Sequence, residues 1–512
     1  MSSALCFLLN GKPVGLDAVD PNLTVLDWLR CQARLTGTKE GCAEGDCGAC
    51  MIAIADARPD GRLHWRAINS CIRLLSSLHG HAVVTVDGLA SGGSVHPVQQ
   101  ALVDAHASQC GFCTPGFVMS LYALYRNGGL QTLDRPEVER AFSGNLCRCT
   151  GYRPLIDAAL ALRDASDDAI AAENAVTAGR LHDLMRRSDA GPVAPHDGPL
   201  AAGDGPRTAA AVGSPTIDAG ARALRPRTVE ALLADRARHP GAWLIAGCTD
   251  VGLWITKQHR RAEHTIDVTF VTALQSIETL ADGRLRIGAA VRLEQAWAAL
   301  CARWPQLRGF ADRFASRPVR NSGTLGGNIA NGSPIGDSMP VLIALGCHVV
   351  VASQAGGERA IALEAFYAGR QQTVMRTDEV LLWIDVAPPG SSGLVAAYKV
   401  SRRIEQDISA VCLGLNIELD DGVSAPVVRT ARIGVGGMAA TPMRALRTEQ
   451  VLVGAPWSDA TLDLAVRTIR AEFSPITDMR ASSRYREHVI GALLIRAWRE
   501  HRGEPVALDA LS

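Results

Sequence analysis

Eight cysteines ahead of residue 150 fall into two tight groups: Cys42, Cys47, Cys50 and Cys71, then Cys110, Cys113, Cys147 and Cys149. The first group reads Cys42-x4-Cys47-x2-Cys50 with a more distant Cys71, the spacing of plant-type [2Fe–2S] ligands. Four thiolates converging on two irons need a loop that curls back on itself. Gly41, Gly45 and Gly48 stand between the ligands, where a missing Cβ lets the backbone close in and aim N–H groups at sulfur. The competing readings are a zinc site, which usually takes its ligands as two separated pairs, and four unconnected cysteines. The second group sets C-x2-C at Cys110 and Cys113 against C-x-C at Cys147 and Cys149, shortly before Pro115 and Pro154 respectively. Two helix starts presenting four thiolates to one cluster account for that placement. A C-x-C pair is tight for zinc chelation and strained for a disulfide. The scattered Cys6, Cys31, Cys248, Cys301, Cys347 and Cys412 read as small buried hydrophobes.

Two glycine-rich stretches have the chemistry to hold a phosphate. Leu244-Ile245-Ala246-Gly247-Cys248-Thr249-Asp250 leaves a strand and turns sharply, and Gly323–Asn328 continues into Asn331–Asp337. Backbone N–H groups in such loops, joined by Thr and Ser hydroxyls, cradle a pyrophosphate without a cation. On spacing alone plain turns are the commoner reading of such stretches. A third stretch, Gly434–Ala439, fits G-x-G-x-x-A, but Pro442 follows too soon for the long helix a dinucleotide fingerprint requires. It reads as a strand-end turn.

The elements that must position these residues follow from the pattern. Leu5–Leu9, Asn10-Gly11 and Lys12–Leu16 predict a hairpin. Thr24 predicts a helix cap through Leu29, and strands are expected at Met51–Ala55 and Val83–Val86. Hairpin, helix, cysteine loop and closing strands suit a β-grasp domain. Four helices follow, opened by Pro97, Pro115, Pro136 and Pro154 and suited to a compact bundle. Residues from about 165 to 222 are rich in Ala, Asp, Gly and Pro, which predicts a linker with at most a helix near Arg180–Arg187. Beyond Arg225-Pro226, expected strands at Trp243–Ala246, His264–Val268 and Leu285–Ile287 alternate with helices, one of them Ala-rich near 293–304. Strands at Ala410–Leu419 and Val428–Val435 and a helix at Asp459–Ala471 complete the chain.

The 512 residues suffice for about three domains, and Lys+Arg balances Asp+Glu at 52 each. No global field therefore favours nucleic acid or an anionic membrane. The early apolar run Leu5–Leu9 is too short for a signal-peptide core, and no stretch reaches the ~20 residues of a membrane span. The expectation is a cytoplasmic protein with reduced thiols.

Gln109-Cys110-Gly111-Phe112-Cys113-Thr114-Pro115-Gly116 and Cys147-Arg148-Cys149-Thr150-Gly151-Tyr152 are similar to the motifs of the xanthine oxidase family of molybdenum hydroxylases. The resemblance implies an α+β multidomain chain. Its parts are a β-grasp ferredoxin-like domain (1–90), a four-helix [2Fe–2S] domain (91–165), a linker (166–222), a non-Rossmann α+β FAD-binding domain (223–395) and an α+β flavoprotein C-terminal domain (396–512). By that likeness Cys42, Cys47, Cys50 and Cys71 hold one cluster and Cys110, Cys113, Cys147 and Cys149 the other. FAD is held by Leu244, Ile245, Ala246, Gly247, Cys248, Thr249 and Asp250, with Phe314, Thr324, Gly327, Asn328, Asn331, Ser333, Asp337 and Lys399. Arg402–Asp407 then forms the loop beside the flavin that governs access of the electron acceptor.

In the family, hydroxylation occurs at molybdenum in a separate large region, and no residue here is expected to act on the substrate. The resemblance therefore implies a molybdopterin-bearing partner in an (αβ)2 assembly. Electrons pass through the helical-domain cluster, the ferredoxin-like cluster and FAD to NAD+. The fused layout resembles the small subunit of bacterial members that convert hypoxanthine and xanthine to urate. Alternatives are the same subunit acting with an aldehyde or N-heterocycle hydroxylase, an independent flavin–iron–sulfur reductase, and a non-enzymatic cluster scaffold or redox sensor.

Overall fold

The computed structural model describes residues 4–57, 61–90, 93–190, 221–390, 392–404, 406–420, 426–504 and 506. The chain forms two compact units. One comprises Met1–Arg225, Gly241–Asp267 and Ser316–Gly323; the other comprises Pro226–Pro240, Val268–Ala315 and Thr324–Ser512.

The first unit begins with β1 (Leu5–Leu9) and β2 (Lys12–Leu16), turned by Asn10 and Gly11 at φ 49° and 77° as the hairpin signal predicts. With β3 (Met51–Ala57), β4 (Leu63–Asn69) and β5 (Ala82–Val84) they make a sheet of order β2-β1-β5-β3-β4. Only β1 and β5 run parallel, the arrangement of a β-grasp sheet. Sequence reading missed β4. Thr24 caps as expected, its Oγ accepting from Asp27 N at 3.1 Å, and the helix continues as one wide turn through Gln32.

Helices Pro97–Asp104, Thr114–Arg126, Arg135–Phe142 and Arg153–Leu160 follow, each with proline at its first or second position. Their apolar faces close one core around Phe117, Leu121, Val138 and Leu155.

The linker expected over 166–222 is corrected in its first part. Asp167–Ala190 is one 24-residue helix, longer than the helix expected near 180–187. Most of its apolar residues are alanines, yet the larger Ile170, Leu181 and Leu184 fall on one stripe and are buried. Asn174 lies on the same stripe. The rest of the expected linker, 191–220, lies outside the described residues.

A parallel three-stranded sheet of order β6-β8-β7 completes this unit, from β6 (Arg222–Leu224), β7 (Trp243–Ile245) and β8 (His264–Asp267). The first break between the units, at Arg225/Pro226, falls close to the expected 222/223, but 241–267 and 316–323 return to the unit of the cysteine-bearing domains.

The second unit holds β9 (Ile277–Thr279), β10 (Leu285–Gly288), β11 (His348–Ser353), β12 (Gly357–Ala362), the small hairpin β13 (Tyr367–Gly369) and β14 (Gln372–Thr373), and β15 (Val380–Val386). One sheet runs β12-β11-β15-β10-β9 and packs on helices that include Leu293–Arg303 and Leu325–Asn331. The C-terminal sheet β16-β17-β18-β19 joins Leu394–Val400, Val411–Asp420, Val427–Gly436 and Met443–Arg444. It is covered by helices Asp459–Glu472 and Ser483–His501.

Gly434 is required for packing. A Cβ there would stand 2.0 Å from Pro340 O on helix Ser338–Ala344. Gly437 turns the chain at φ 75°, and the next helix begins only at Leu446, so Gly434–Ala439 is the strand-end turn expected. No helix among the described residues is long and apolar enough to cross a membrane.

Candidate iron–sulfur and flavin sites

The first cysteine loop, between β2 and β3, is shaped by left-handed residues: Ala43, Gly45 and Gly48 have φ of 53°, 81° and 75°. This curl brings the Asp46 and Cys47 N–H groups to Cys42 Sγ at 3.4 and 3.3 Å. Cys71, on the far side of β4, reaches the same place. Hydrogen bonds from the Cys47 and Cys71 thiols hold Cys42 well below the ordinary thiol range, and a hydrogen bond from Cys71 likewise lowers Cys50. Their partners Cys47 and Cys71 are raised by the same hydrogen bonds and by burial. Four sulfurs thus gather with N–H donors aimed at one of them, which fits a thiolate-ligated cluster. Among the described residues, no set of three or more His, Cys, Asp or Glu is arranged for a single metal ion.

The glycines of the loop divide their work. A Cβ on Gly41 would meet Cys47 Sγ at 2.8 Å, so this position does clear space beside a ligand. At Gly48 it would instead stand 2.2 Å from Gly144 O of the helical domain. Gly48 therefore serves the contact between domains. Beside it Leu146 N donates to Cys47 O at 3.0 Å, which joins the residue before Cys147 directly to a residue of the first quartet.

In the second quartet Cys113 stands at the start of helix Thr114–Arg126, and Cys149 shortly precedes Arg153–Leu160. The thiols of Cys113 and Cys147 are hydrogen-bonded to each other, as are those of Cys110 and Cys149. Burial and Cys147 push Cys113 up to about 12. Cys147 N donates to Tyr152 Oη at 3.1 Å, and Tyr152 is left-handed at φ 67°, which folds the Cys147–Tyr152 loop back on itself. Two helix starts presenting four thiolates would suit a quartet enclosed by the bundle. The structure leaves one edge open instead: Cys110 and Cys149 are exposed, with Phe112, Leu146 and Tyr152 around them.

The expected flavin residues fall on both units. Within the first, Leu244 and Ile245 end β7, Ala246 and Gly247 turn the chain, and Cys248, Thr249 and Asp250 lead into helix Val251–Thr256. Gly247 has φ 104°, and a Cβ there would stand 2.0 Å from Ser322 O. Cys248 is left-handed at φ 67° and its thiol is enclosed; burial pushes it up to about 12.

Within the second unit, Thr324 Oγ accepts from Gly327 N at 3.0 Å and caps helix Leu325–Asn331, which carries Asn328 and Asn331. Buried Asn328 Oδ1 has no hydrogen-bond partner among the described residues, as a ligand-facing acceptor would. Ser333 Oγ accepts from Ile335 N at 3.4 Å, and Phe314 stacks obliquely on Trp297. Lys399 Nζ meets Asp337 Oδ2 at 2.7 Å, both buried. Ser409 Oγ donates to Asp337 Oδ1, and the Arg313 guanidinium binds Lys399 O at 3.0 Å and Ser401 Oγ at 3.4 Å. Ser409 and Arg313 were not singled out from sequence. Ser409 lies 72 positions from Asp337 and Arg313 lies 86 from Lys399, and no local pattern marks either of them.

Comparison with known domains places a 2Fe-2S iron-sulfur cluster binding domain at 7–73 and a [2Fe-2S] binding domain at 85–160. An FAD binding domain in molybdopterin dehydrogenase matches 219–388, and a CO dehydrogenase flavoprotein C-terminal domain matches 396–501. The chain belongs to the molybdenum hydroxylase family. It corresponds to the iron–sulfur and flavin portion of that family. Among curated relatives, xanthine dehydrogenase of Drosophila subobscura is 34% identical over 97% of this chain and 39% of its own length. Xanthine dehydrogenase/oxidase of Gallus gallus is 32% identical over 91% of this chain and 38% of its own. The chain thus spans about two fifths of the length of these relatives. Among solved structures, reconstituted CO dehydrogenase from Oligotropha carboxidovorans has a TM-score of 0.51 at 25% identity, covering 56% of this chain and 98% of that one. Quinoline 2-oxidoreductase from Pseudomonas putida 86 shares the fold, with a TM-score of 0.50 at 23% identity over 55% of this chain and 96% of that one.

Proposed function

We propose that this chain is the electron-transfer component of a xanthine dehydrogenase. Cys42, Cys47, Cys50 and Cys71 hold one [2Fe–2S] cluster, and Cys110, Cys113, Cys147 and Cys149 hold the other. Leu244–Asp250 binds FAD together with Phe314, Thr324, Gly327, Asn328, Asn331, Ser333, Asp337 and Lys399. When bound, the clusters carry single electrons and the flavin exchanges one or two. The observation that carries this reading is the direct bond from Leu146 N to Cys47 O, which sets the two gathered quartets side by side in one unit.

The open edge at Cys110, Phe112, Leu146, Cys149 and Tyr152 suits docking of a molybdopterin-bearing partner, in an (αβ)2 assembly working in the cytoplasm. Xanthine is favoured as substrate by relatives that match nearly the whole of this chain, and NAD+ is the proposed acceptor. A second reading, another molybdenum hydroxylase acting on a different small substrate, draws on the likeness to quinoline and CO enzymes.

The test is to purify the chain with its partner, measure iron, molybdenum and FAD, and follow xanthine-dependent reduction of NAD+. Four irons and one FAD per chain with purine-dependent turnover is the expected result. Full cofactors with turnover only on an aldehyde or N-heterocycle would favour the second reading. A chain loaded without any molybdenum partner would point to an independent reductase.

A further inference from the structure

Nine consecutive residues tie the expected flavin loop to the first cysteine quartet. Leu74 N, three residues beyond Cys71, donates to Cys248 Sγ. Gly252 lies against the residue next to Cys71: a Cβ there would stand 2.4 Å from Ile72 O and 2.8 Å from Ile72 Cα. Leu253 packs into the small core made by Leu26, Cys50, Cys71 and Ile72. Thr256 Oγ donates to Ala43 O at 2.7 Å, the residue after Cys42. Three of the four cysteines thus have a direct neighbour or a packing contact on this short run.

We propose that Cys248–Thr256 is the element that sets the separation between the first cluster and the flavin, with Gly252 as its main positioning residue. The proposal rests on the cofactor assignment above. Gly252 lacks a Cβ because any side chain would push the run off Ile72. An alanine must retreat by about an ångström to reach an ordinary contact of ~3.5 Å. Cys248 holds the other end, and its thiol is an acceptor for Leu74 N rather than a reactive group. Neither residue touches substrate or moves a proton. Each electron passed leaves one centre and arrives at the other, and the run fixes only the distance it travels.

The test uses the purified holoenzyme carrying Gly252→Ala, Cys248→Val or Cys248→Ser. Iron and FAD contents are measured first. Flavin is then reduced by rapid mixing with NADH, whose hydride goes to flavin and not to a cluster, and freeze-quenched EPR follows the appearance of the reduced first cluster. Gly252→Ala and Cys248→Val are expected to slow that appearance several-fold at unchanged iron. Cys248→Ser, which keeps an acceptor for Leu74 N, is expected to slow it less than Cys248→Val does, the two being compared at equal FAD content. If Gly252→Ala does not load, Cys248→Val against Cys248→Ser carries the comparison. Loaded Gly252→Ala and Cys248→Val proteins that pass electrons at the wild-type rate would overturn the proposal alone. An unaltered chain lacking iron or flavin would overturn the cofactor assignment beneath it.

Discussion

Arg486 is 1% exposed, and its guanidinium donates to the carbonyls of Ala410 and Gly437 and to Asp478 Oδ1 at 2.6 Å. Burial pushes the Asp478 carboxyl up, but the N–H groups of Arg480 and Ala481 and the Arg486 charge outweigh it. They bring it from 3.8 to about 2. A carboxylate depressed in the folded state adds stability that is full above its unfolded value and lost as pH falls through the folded one. The C-terminal domain is therefore expected to lose this contribution between about pH 4 and pH 2. Replacing Asp478→Asn strands a buried cation and should cost about 3 kcal/mol near neutrality. In urea titrations across pH, the gap between variant and wild type should narrow toward pH 2; a gap that stays constant would contradict the pairing. Lys399 is singled out from the sequence only by the family resemblance, and its pairing with Asp337 is not legible there at all. The two are 62 positions apart, and only folding brings them together.

Helix Asp167–Ala190 owes its place to one polar residue as much as to its apolar stripe. Asn174 Oδ1 accepts from Trp65 Nε1 at 2.8 Å and from Arg126 Nε and Nη2 at 3.0 and 2.6 Å. Its amide donates to Arg126 O at 2.8 Å. Trp65 belongs to the β-grasp sheet and Arg126 to the helical domain, so this side chain ties the helix to both. Asn174→Ala leaves the Trp65 and Arg126 donors without that acceptor and should cost about 2–3 kcal/mol. Urea unfolding checks the size. Faster hydrogen exchange across 167–190, with β3 and β4 unchanged, checks that the loss is local. Composition hid this helix, because the entropy argument that marks Ala- and Asp-rich segments as linkers takes no account of a single asparagine meeting three buried donors.

Across the whole molecule the two quartets sit in different cores. Cys50 and Cys71 pack with Leu26 and Ile72, whereas Cys147 belongs to the separate core that the four helices share with one face of the β-grasp sheet. Loss of one ligand is therefore expected to remove one cluster and spare the other. Cys42→Ser should halve the iron and abolish one EPR signal, and Cys149→Ser should halve it and abolish the other. Loss of both signals from either substitution would mean that the domains fold only when both are loaded.

What the sequence determined by itself is what local chemistry encodes. The x4/x2 spacing, the paired C-x2-C and C-x-C, and prolines opening four helices describe both cysteine-bearing domains, because each signal is complete within a few residues. The Asn10-Gly11 hairpin was legible for the same reason. The tertiary structure decided everything that depends on a partner distant in the chain. It gave Gly48 to Gly144, Gly252 to Ile72 and Cys248 to Leu74, and it joined 241–267 and 316–323 to the cluster-bearing unit. A glycine between two ligands and a glycine beneath another backbone look alike in one dimension. What distinguishes them is the atom that would occupy the Cβ position, and the chain must fold before that atom is there.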